Sequence, residues 1–448
     1  MLKELLQPDI EKLIEDGEWD GIIEALMDFH PQEISEIIQE LSENDILRIF
    51  NQLPAVISSQ VLTYLEKNLQ IFLLKKLSKI KLKNIFLEMS PDDRTEILEE
   101  LNEELRNKIL KLLPREELLE SRKLLSYPED SIGRLMTPEY LAIKQNWTVS
   151  KALSHIRKYG KDKETLTIIY VIDEKGNLVD DLKLKDLILA SPRKKIKSLM
   201  DYKYYSLSAY DDREKAVDIM KKYDLLVLPV EDNGKLVGIV TIDDIMDVAE
   251  EEATEDIHKQ FAVSPFEESY ADASIWNLFK KRILWLVILL IWSSTVSANI
   301  IAFFRDAISS VIALSFFITV IAGTGGNVGT QASALMVRAL AVGDVKLEDW
   351  FKIFIREIIV GALLGILLGT ILYIRAYTMD EARNISLVVA FSLVADAIWS
   401  NILGTLLPIF IKKIKLDPAV VSSPFLSSIL DSSGLIIYFS IAKWLLHI

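Results

Sequence analysis

The chain has 448 residues, half of them hydrophobic, with 65 acidic against 51 basic side chains and a net charge of −14. That is about three domains' worth of sequence, and the charge is segregated: residues 1–275 hold 55 acids and 37 bases, residues 276–448 only 10 acids and 14 bases. Long apolar runs exclude an ordinary soluble enzyme, a net acidic chain is a poor nucleic-acid binder, and the absence of cysteine excludes disulfides and thiol chemistry.

In chain order, the opening MLKELLQPDIEKLIEDG is amphipathic and acidic and does not read as a signal peptide. Residues 1–130 carry helical periodicity punctuated by Pro31, Pro54, Pro91 and Pro114. Leu41, Leu65, Met89 and Leu112 fall 24, 24 and 23 residues apart, which predicts one helical hairpin per repeat in an all-α, superhelical N domain. From there the texture changes. Short β-branched runs (LTIIYVID, LLVLPVED, KLVGIVTI) alternate with helical stretches, and turn residues such as Lys175-Gly176-Asn177 and Asp232-Asn233-Gly234 follow strands. The order helix–strand–turn–strand–helix occurs twice, giving two copies of a small α/β module at 131–199 and 200–256.

Residues 257–280 read as a connecting helix ending in the basic Lys280-Lys281-Arg282 cluster. A membrane domain over 281–448 follows, with five apolar segments near 283–304, 308–336, 355–376, 385–411 and 418–446. Each is long enough to cross a bilayer core of about 30 Å. Basic residues collect before the first segment, between the second and third (Arg338, Lys346, Lys352, Arg356) and between the fourth and fifth (Lys412, Lys413, Lys415). The positive-inside rule then puts the large N-terminal region in the cytoplasm and the C-terminus outside.

Catalysis finds no support. His30, His155, His258 and His447 are scattered, and no Ser/His/Asp, P-loop or HExxH pattern occurs. Gly323-Thr-Gly-Gly-Asn-Val-Gly329 has the wrong glycine spacing and the wrong context for a dinucleotide loop. Polar residues inside the apolar segments are more telling, because an acid in hydrocarbon is expensive and is by default a functional hypothesis. Asp431 lies near the middle of the fifth segment among Ser427, Ser428, Ser432 and Ser433, like the lining of a wet path. Asp417 opens the same segment beside Pro418, where a plain helix-capping role serves equally well. Asp396 is a second deep acid, for which a structural contact and a pore role are equally open. The glycine stretch is placed at the end of the second segment, where Asn327, Thr330 and Gln331 offer oxygens suited to a hydrated cation. Gly361, Gly365 and Gly369 form a face for close helix packing.

The cytoplasmic acids also collect. Asp92 and Asp93 open a helix, and 243–256 holds Asp243, Asp244, Asp247, Glu250, Glu251, Glu252, Glu255 and Asp256 without a base. Most such runs are solvated helix faces, yet like charges at this density repel unless cations bridge them. The run therefore reads as a divalent-cation switch.

The motifs GTGGNVGTQASALMVRAL, LGTLLPIFIKKIKLDPAVVSSPFLSSILDSSGLIIYFSIA, EEATEDIHK, SPDDRTEILEEL and YPEDSIGRLMT together resemble the MgtE-type magnesium channels and transporters over essentially the whole chain. The paired α/β modules resemble CBS domains, with VGIVTIDDI in the second. The resemblance implies a Mg²⁺-selective homodimer of the cytoplasmic membrane with a central pore, gated by intracellular Mg²⁺ at acidic interfaces between N domain and CBS pair. It implies pore-acid status for Asp431, with Asp417 at the start of the last span, and cation sensing by Asp92, Asp93, Asp244, Asp247, Glu252, Glu255 and Asp256. Adenine nucleotides such as ATP are common CBS ligands, and Asp244 stands where one would meet the ribose. The chain departs from the family pattern at Arg305, Thr319, Asp181 (where a glycine is usual) and the acidic Asp396. Two other readings compete: a nucleotide-regulated carrier for another divalent or organic cation, and a membrane-tethered sensor. Buried polar residues in spans two and five argue against a mere tether. Carboxylates and amides alone do not discriminate among Mg²⁺, Mn²⁺, Co²⁺ and Ni²⁺.

Overall fold

A computed structural model of the chain describes residue 10 and residues 12–264, 274–418 and 423–448. It divides into two compact units, Met1–Glu250 and Glu251–Ile448.

The first unit begins as a helical solenoid whose period is written in the residue preceding each N-cap. Phe29, Leu41, Leu53, Leu65, Leu77, Met89, Leu101 and Leu113 stand 12 apart, and each immediately precedes the N-cap of a helix. An apolar residue there packs back on the first turn and fixes the angle at which the chain enters the helix. Burying a leucine stabilises by roughly 1.5–3 kcal/mol, and most of these are buried in one continuous core. Several helices pack on the one two further along: Pro31–Ile38 on Ala55–Thr63, Glu43–Gln52 on Lys67–Lys76, Ala55–Thr63 on Lys79–Glu88 and Pro91–Glu100 on Arg115–Leu124. The expected 24-residue hairpin repeat is therefore present. Its fourth marker is Leu113, not Leu112, which makes the spacing uniform.

Two three-stranded sheets follow. In the first, β1 (Ala142–Lys144) pairs parallel with β2 (Ile168–Ile172), and β2 pairs antiparallel with β3 (Leu178–Lys183). The second repeats this with β4 (Leu207–Ser208), β5 (Val227–Asp232) and β6 (Lys235–Thr241). Asn233 and Gly234 both have positive φ, 52° and 79°, the backbone that a two-residue hairpin turn demands. The two hairpins align at Leu178 and Leu236, so the acid replacing Gly238 in the first copy is Asp180, one residue before the expected Asp181. Asp180 is fully buried, and its Oδ2 accepts the backbone N–H groups of Asp201 and Tyr202 at 3.0 and 3.1 Å. The acid fastens the linker between the modules.

The second unit has five helical segments long and apolar enough to cross a membrane: Ile275–Phe303, Ile312–Ala341, Leu347–Tyr377, Asp380–Lys413 and Ser423–Leu446, called spans one to five below. The expected connecting helix at 257–280 is not one element. Residues 257–260 complete the helix Ile242–Gln260, Ile275 already opens span one, and 265–273 lie outside the described residues, as do 419–422, the start expected for span five. Span one contains a π-helical turn at Ser293–Ser297. Gly361, Gly365 and Gly369 of span three meet the backbone of Ile398, Val394 and Ala390 in span four, the close packing expected of them.

Candidate cation-binding sites

Spans two, four and five meet through glycines. The run Gly323–Gly329 does not end span two but lies inside its continuous helix Ile318–Ala341. A lone glycine weakens a helix; here several do so to let neighbours approach. A β-carbon on Gly404 of span four would collide with the backbone of Gly329, and one on Gly329 with Leu430 of span five. On the same face, a β-carbon on Gly326 would come within 2.8 Å of Ser427 Oγ and 3.0 Å of Asp431 Oδ1. Asp431 is half-buried, and its Oδ1 is buried without a hydrogen-bond partner among the described residues. Ser432, beside it, meets Ser297 of the π-helical turn at 3.0 Å. A carboxylate oxygen, a serine hydroxyl and bare helix backbone thus face one another inside the membrane unit. Asn327 and Gln331 lie on the opposite, exposed face of span two and do not join Asp431 within one chain.

Asp417 sits apart from this group. It accepts Lys259 Nζ at 3.0 Å, and Lys259 also reaches Glu255 at 2.8 Å. Asp256, next to Glu255, has its carboxyl pushed up by burial and by the charge of Asp417. Two of the expected sensing acids and the acid before span five therefore surround one lysine.

A second cluster lies in the first unit. Asp92 and Asp93 open the helix Pro91–Glu100, and Asp244 begins Ile242–Gln260 immediately after β6. Burial and mutual repulsion push their carboxyls up: Asp93 to about 6, and Asp244 to about 8 with Asp92 and Asp243 as neighbours. Asp92 is raised by burial and by Asp243, and its Oδ1 is buried without a partner among the described residues. Two acids not singled out from the sequence complete the group. Glu164 is pushed to about 7 by burial and by Asp92, Asp243 and Glu139, and Glu139 is raised by burial against Lys163. Both come from the first CBS-like module, so no local pattern marks them; only the fold brings four separate segments together. Asp247, one turn along from Asp244, is exposed, and Glu252 lies further on in the same helix.

Among the described residues no three acidic or histidine side chains already form a preassembled metal cage. The donor set nevertheless fits a hard cation. It is made of oxygens, one buried carboxylate oxygen of Asp92 is unpaired, and the crowded acids repel one another until a cation or protons neutralise them.

Comparison with known proteins now adds to this geometry. The divalent cation transporter profile of the MgtE family matches residues 318–441, the intracellular N domain of that family 29–130, and the CBS domain 132–193 and 196–251. The magnesium transporter MgtE of Thermus thermophilus is 37% identical over 450 residues, which span 100% of both chains. The chain belongs to the MgtE family. The Bacillus subtilis magnesium transporter MgtE is 34% identical, covering 95% of this chain and 97% of the relative. The crystal structure of the cytosolic domain of a Mg²⁺ channel MgtE in complex with ATP superposes with a TM-score of 0.52 at 35% identity, covering 54% of this chain and 100% of that one. The soluble part of a magnesium transporter gives 0.52 at 28% identity, over 56% of this chain and 99% of that one. The architecture expected from the sequence, a helical N domain, two CBS modules and a helical membrane domain, is that of an MgtE protein.

Proposed function

We propose that this MgtE protein carries Mg²⁺ across the cytoplasmic membrane as a homodimer, with its N-terminal region in the cytoplasm and its C-terminus outside. The observation that carries the reading is Asp431, whose Oδ1 is buried and unpaired against Gly326 and Ser427 at a glycine-lined crossing of spans two and five. Mg²⁺ dehydrates reluctantly and is handled through one or two carboxylates and retained waters. Two Asp431 carboxylates, one from each chain, supply that chemistry for a largely hydrated ion, and the exposed Asn327 and Gln331 supply amide oxygens on the face left for the second chain. Asp431→Ala should abolish growth rescue of a Mg²⁺-auxotrophic strain; retained uptake would sink the pore assignment.

Regulation follows from the acids outside the spans. At high internal Mg²⁺, ions neutralise the repulsion among Asp92, Asp93 and Asp244, and among Asp247, Glu252, Glu255 and Asp256, drawing the cytoplasmic parts together and closing the pore. Support comes from the raised carboxyls of Asp93 and Asp244, since groups that already take up protons to shed charge are poised to take up a divalent cation instead. Regulation by ATP at the CBS modules is a second reading, favoured by the ATP complex of the related cytosolic domain. Limited proteolysis of the full chain with and without Mg²⁺, and with ATP, separates the two: protection by Mg²⁺ alone supports the first, and protection requiring nucleotide the second.

A further inference from the structure

Span one touches the rest of the membrane unit lightly: no residue of its first helix, Ile275–Trp292, is buried. Its closest association with span five is at the π-helical turn Ser293–Ser297. Trp292, just before that turn, meets the ring of Phe425 in span five, with centroids 6.4 Å apart. Ser297, at its end, meets Ser432 of span five at 3.0 Å. In a regular α-helix, residues five apart are rotated by about 500°, roughly 140° past a full turn, which would point Ser297 away from the partner that Trp292 faces. A π-turn closes between residues five apart and brings them nearly into line. The extra residue is what lets both side chains face span five.

The direction of the Ser297 bond follows from the hydrogens available. A serine hydroxyl has one to donate, and Ser432 Oγ already donates to the carbonyl of Ser428 at 2.9 Å. Ser297 therefore donates to Ser432. Ser433, the next residue, accepts the indole N–H of Trp399 in span four at 3.0 Å. The two residues that follow Asp431 are thus held from two different spans. Asp431 has no such hold on its Oδ1, which is buried without a partner among the described residues, so its carboxyl is aimed by the helix turn on which it stands. Hydrogen bonds between polar side chains fasten membrane helices to one another. The rotation of span five matters here, because Ser427 and Asp431 both lie against Gly326 of span two.

We propose that Ser297 is a positioning residue for Asp431: the π-turn of span one aims its hydroxyl at Ser432, and that bond fixes the turn of span five from which the Asp431 carboxylate meets the ion. The proposal rests on the reading of Asp431 as the cation-binding residue. Ser297 itself touches no ion. It acts through Ser432, and its loss frees the Ser428–Ser432 turn to rotate, taking the Asp431 carboxyl out of the place where it receives a hydrated Mg²⁺. The divalent cation transporter profile begins at residue 318, beyond span one, so this role comes from the geometry of the chain.

The experiment measures Mg²⁺ uptake by the full chain in liposomes that hold a Mg²⁺-sensitive dye, over a range of external Mg²⁺. In Ser297→Ala the Mg²⁺ concentration giving half-maximal uptake should rise on the order of threefold, the size of an average hydrogen bond between membrane helices. Ser297→Thr keeps the hydroxyl and should restore the wild-type value. Ser432→Ala should give the same rise, and the double variant no more than either alone. A variant that only packs less well lowers maximal uptake per protein and leaves the half-maximal concentration where it was; that result in Ser297→Ala overturns the proposal. Additive shifts in the double variant overturn it as well, since they show that the two serines do not act on each other. Asp431→Ala, run alongside, keeps the two readings apart. Uptake retained there overturns both, whereas uptake lost there with an unchanged Ser297→Ala curve overturns the positioning role alone.

Discussion

The chain holds two groups of carboxylates built on opposite principles. In the first unit, Asp92, Asp93, Glu139, Glu164 and Asp244 are brought together from four segments, and burial, with the charge of neighbouring acids such as Asp243, pushes their carboxyls up. In the membrane unit, Asp396 and Asp431 each lie against a glycine backbone, and Oδ1 of Asp431 is buried without a partner among the described residues. The first arrangement crowds like charge together, which protons or a bound cation would neutralise. The second stores desolvation, held in place by helix backbones that cannot retreat. Under the proposed function the former suits a sensor and the latter a permeation site.

The sharpest way to break this comparison is at the helix crossing. Gly404→Leu would drive a side chain into the backbone of Gly329, and overpacking of this kind costs about 1–3 kcal/mol or more. Loss of monodisperse, folded protein in detergent is expected; an unchanged melting temperature would show that spans two and four do not depend on the contact.

An intermediate effect is expected with pH in the acidic cluster. Raised carboxyls bind protons more tightly folded than unfolded, so their contribution is favourable at low pH. It is lost as pH climbs from the ordinary value of about 4 through about 6, 7 and 8 for Asp93, Glu164 and Asp244. Without divalent cations the first thermal transition should therefore fall between pH 5 and pH 8, and Mg²⁺ should restore it. Asp244→Asn should stabilise the EDTA-treated protein at pH 8 by on the order of 1 kcal/mol, about one pKa unit's worth, and do little at pH 5. A transition independent of pH would remove the cluster's stored repulsion.

The smallest effect belongs to Lys259, whose pairs with Glu255 and Asp417 are about one-third exposed; such pairs are worth about 0–1 kcal/mol. Lys259→Met should barely move the melting temperature but should lower the internal Mg²⁺ that shuts off uptake, because a tethered competitor is gone. An unaltered inhibition curve would reduce the pair to surface decoration.

Much of this was legible in the sequence, for reasons that differ by element. The solenoid shows because each helix start repeats the same apolar residue, the CBS pair because two hairpins share turn residues, and the spans because hydrocarbon tolerates few charges. Asp431 stood out by the same rule. The role of the glycine run was misplaced, since a string of glycines looks like a break in a helix, and only the neighbouring Asp396, Ser427 and Leu430 explain why it is not. Glu139 and Glu164 were invisible because they are ordinary loop acids until tertiary structure sets them beside Asp92.

The uniform register of the solenoid has a consequence for how this domain can change in length. Because helices two apart in sequence rest on one another along much of the stack, losing 12 residues would exchange its two layers and turn every later helix to the other side. Losing 24 would shorten the stack while leaving every helix on its own side. The domain is therefore quantised in hairpins. Asp92 and Asp93, at the start of one such hairpin, keep their orientation only across whole-unit insertions or deletions, which sets a stricter rule for viable length variants than stability alone.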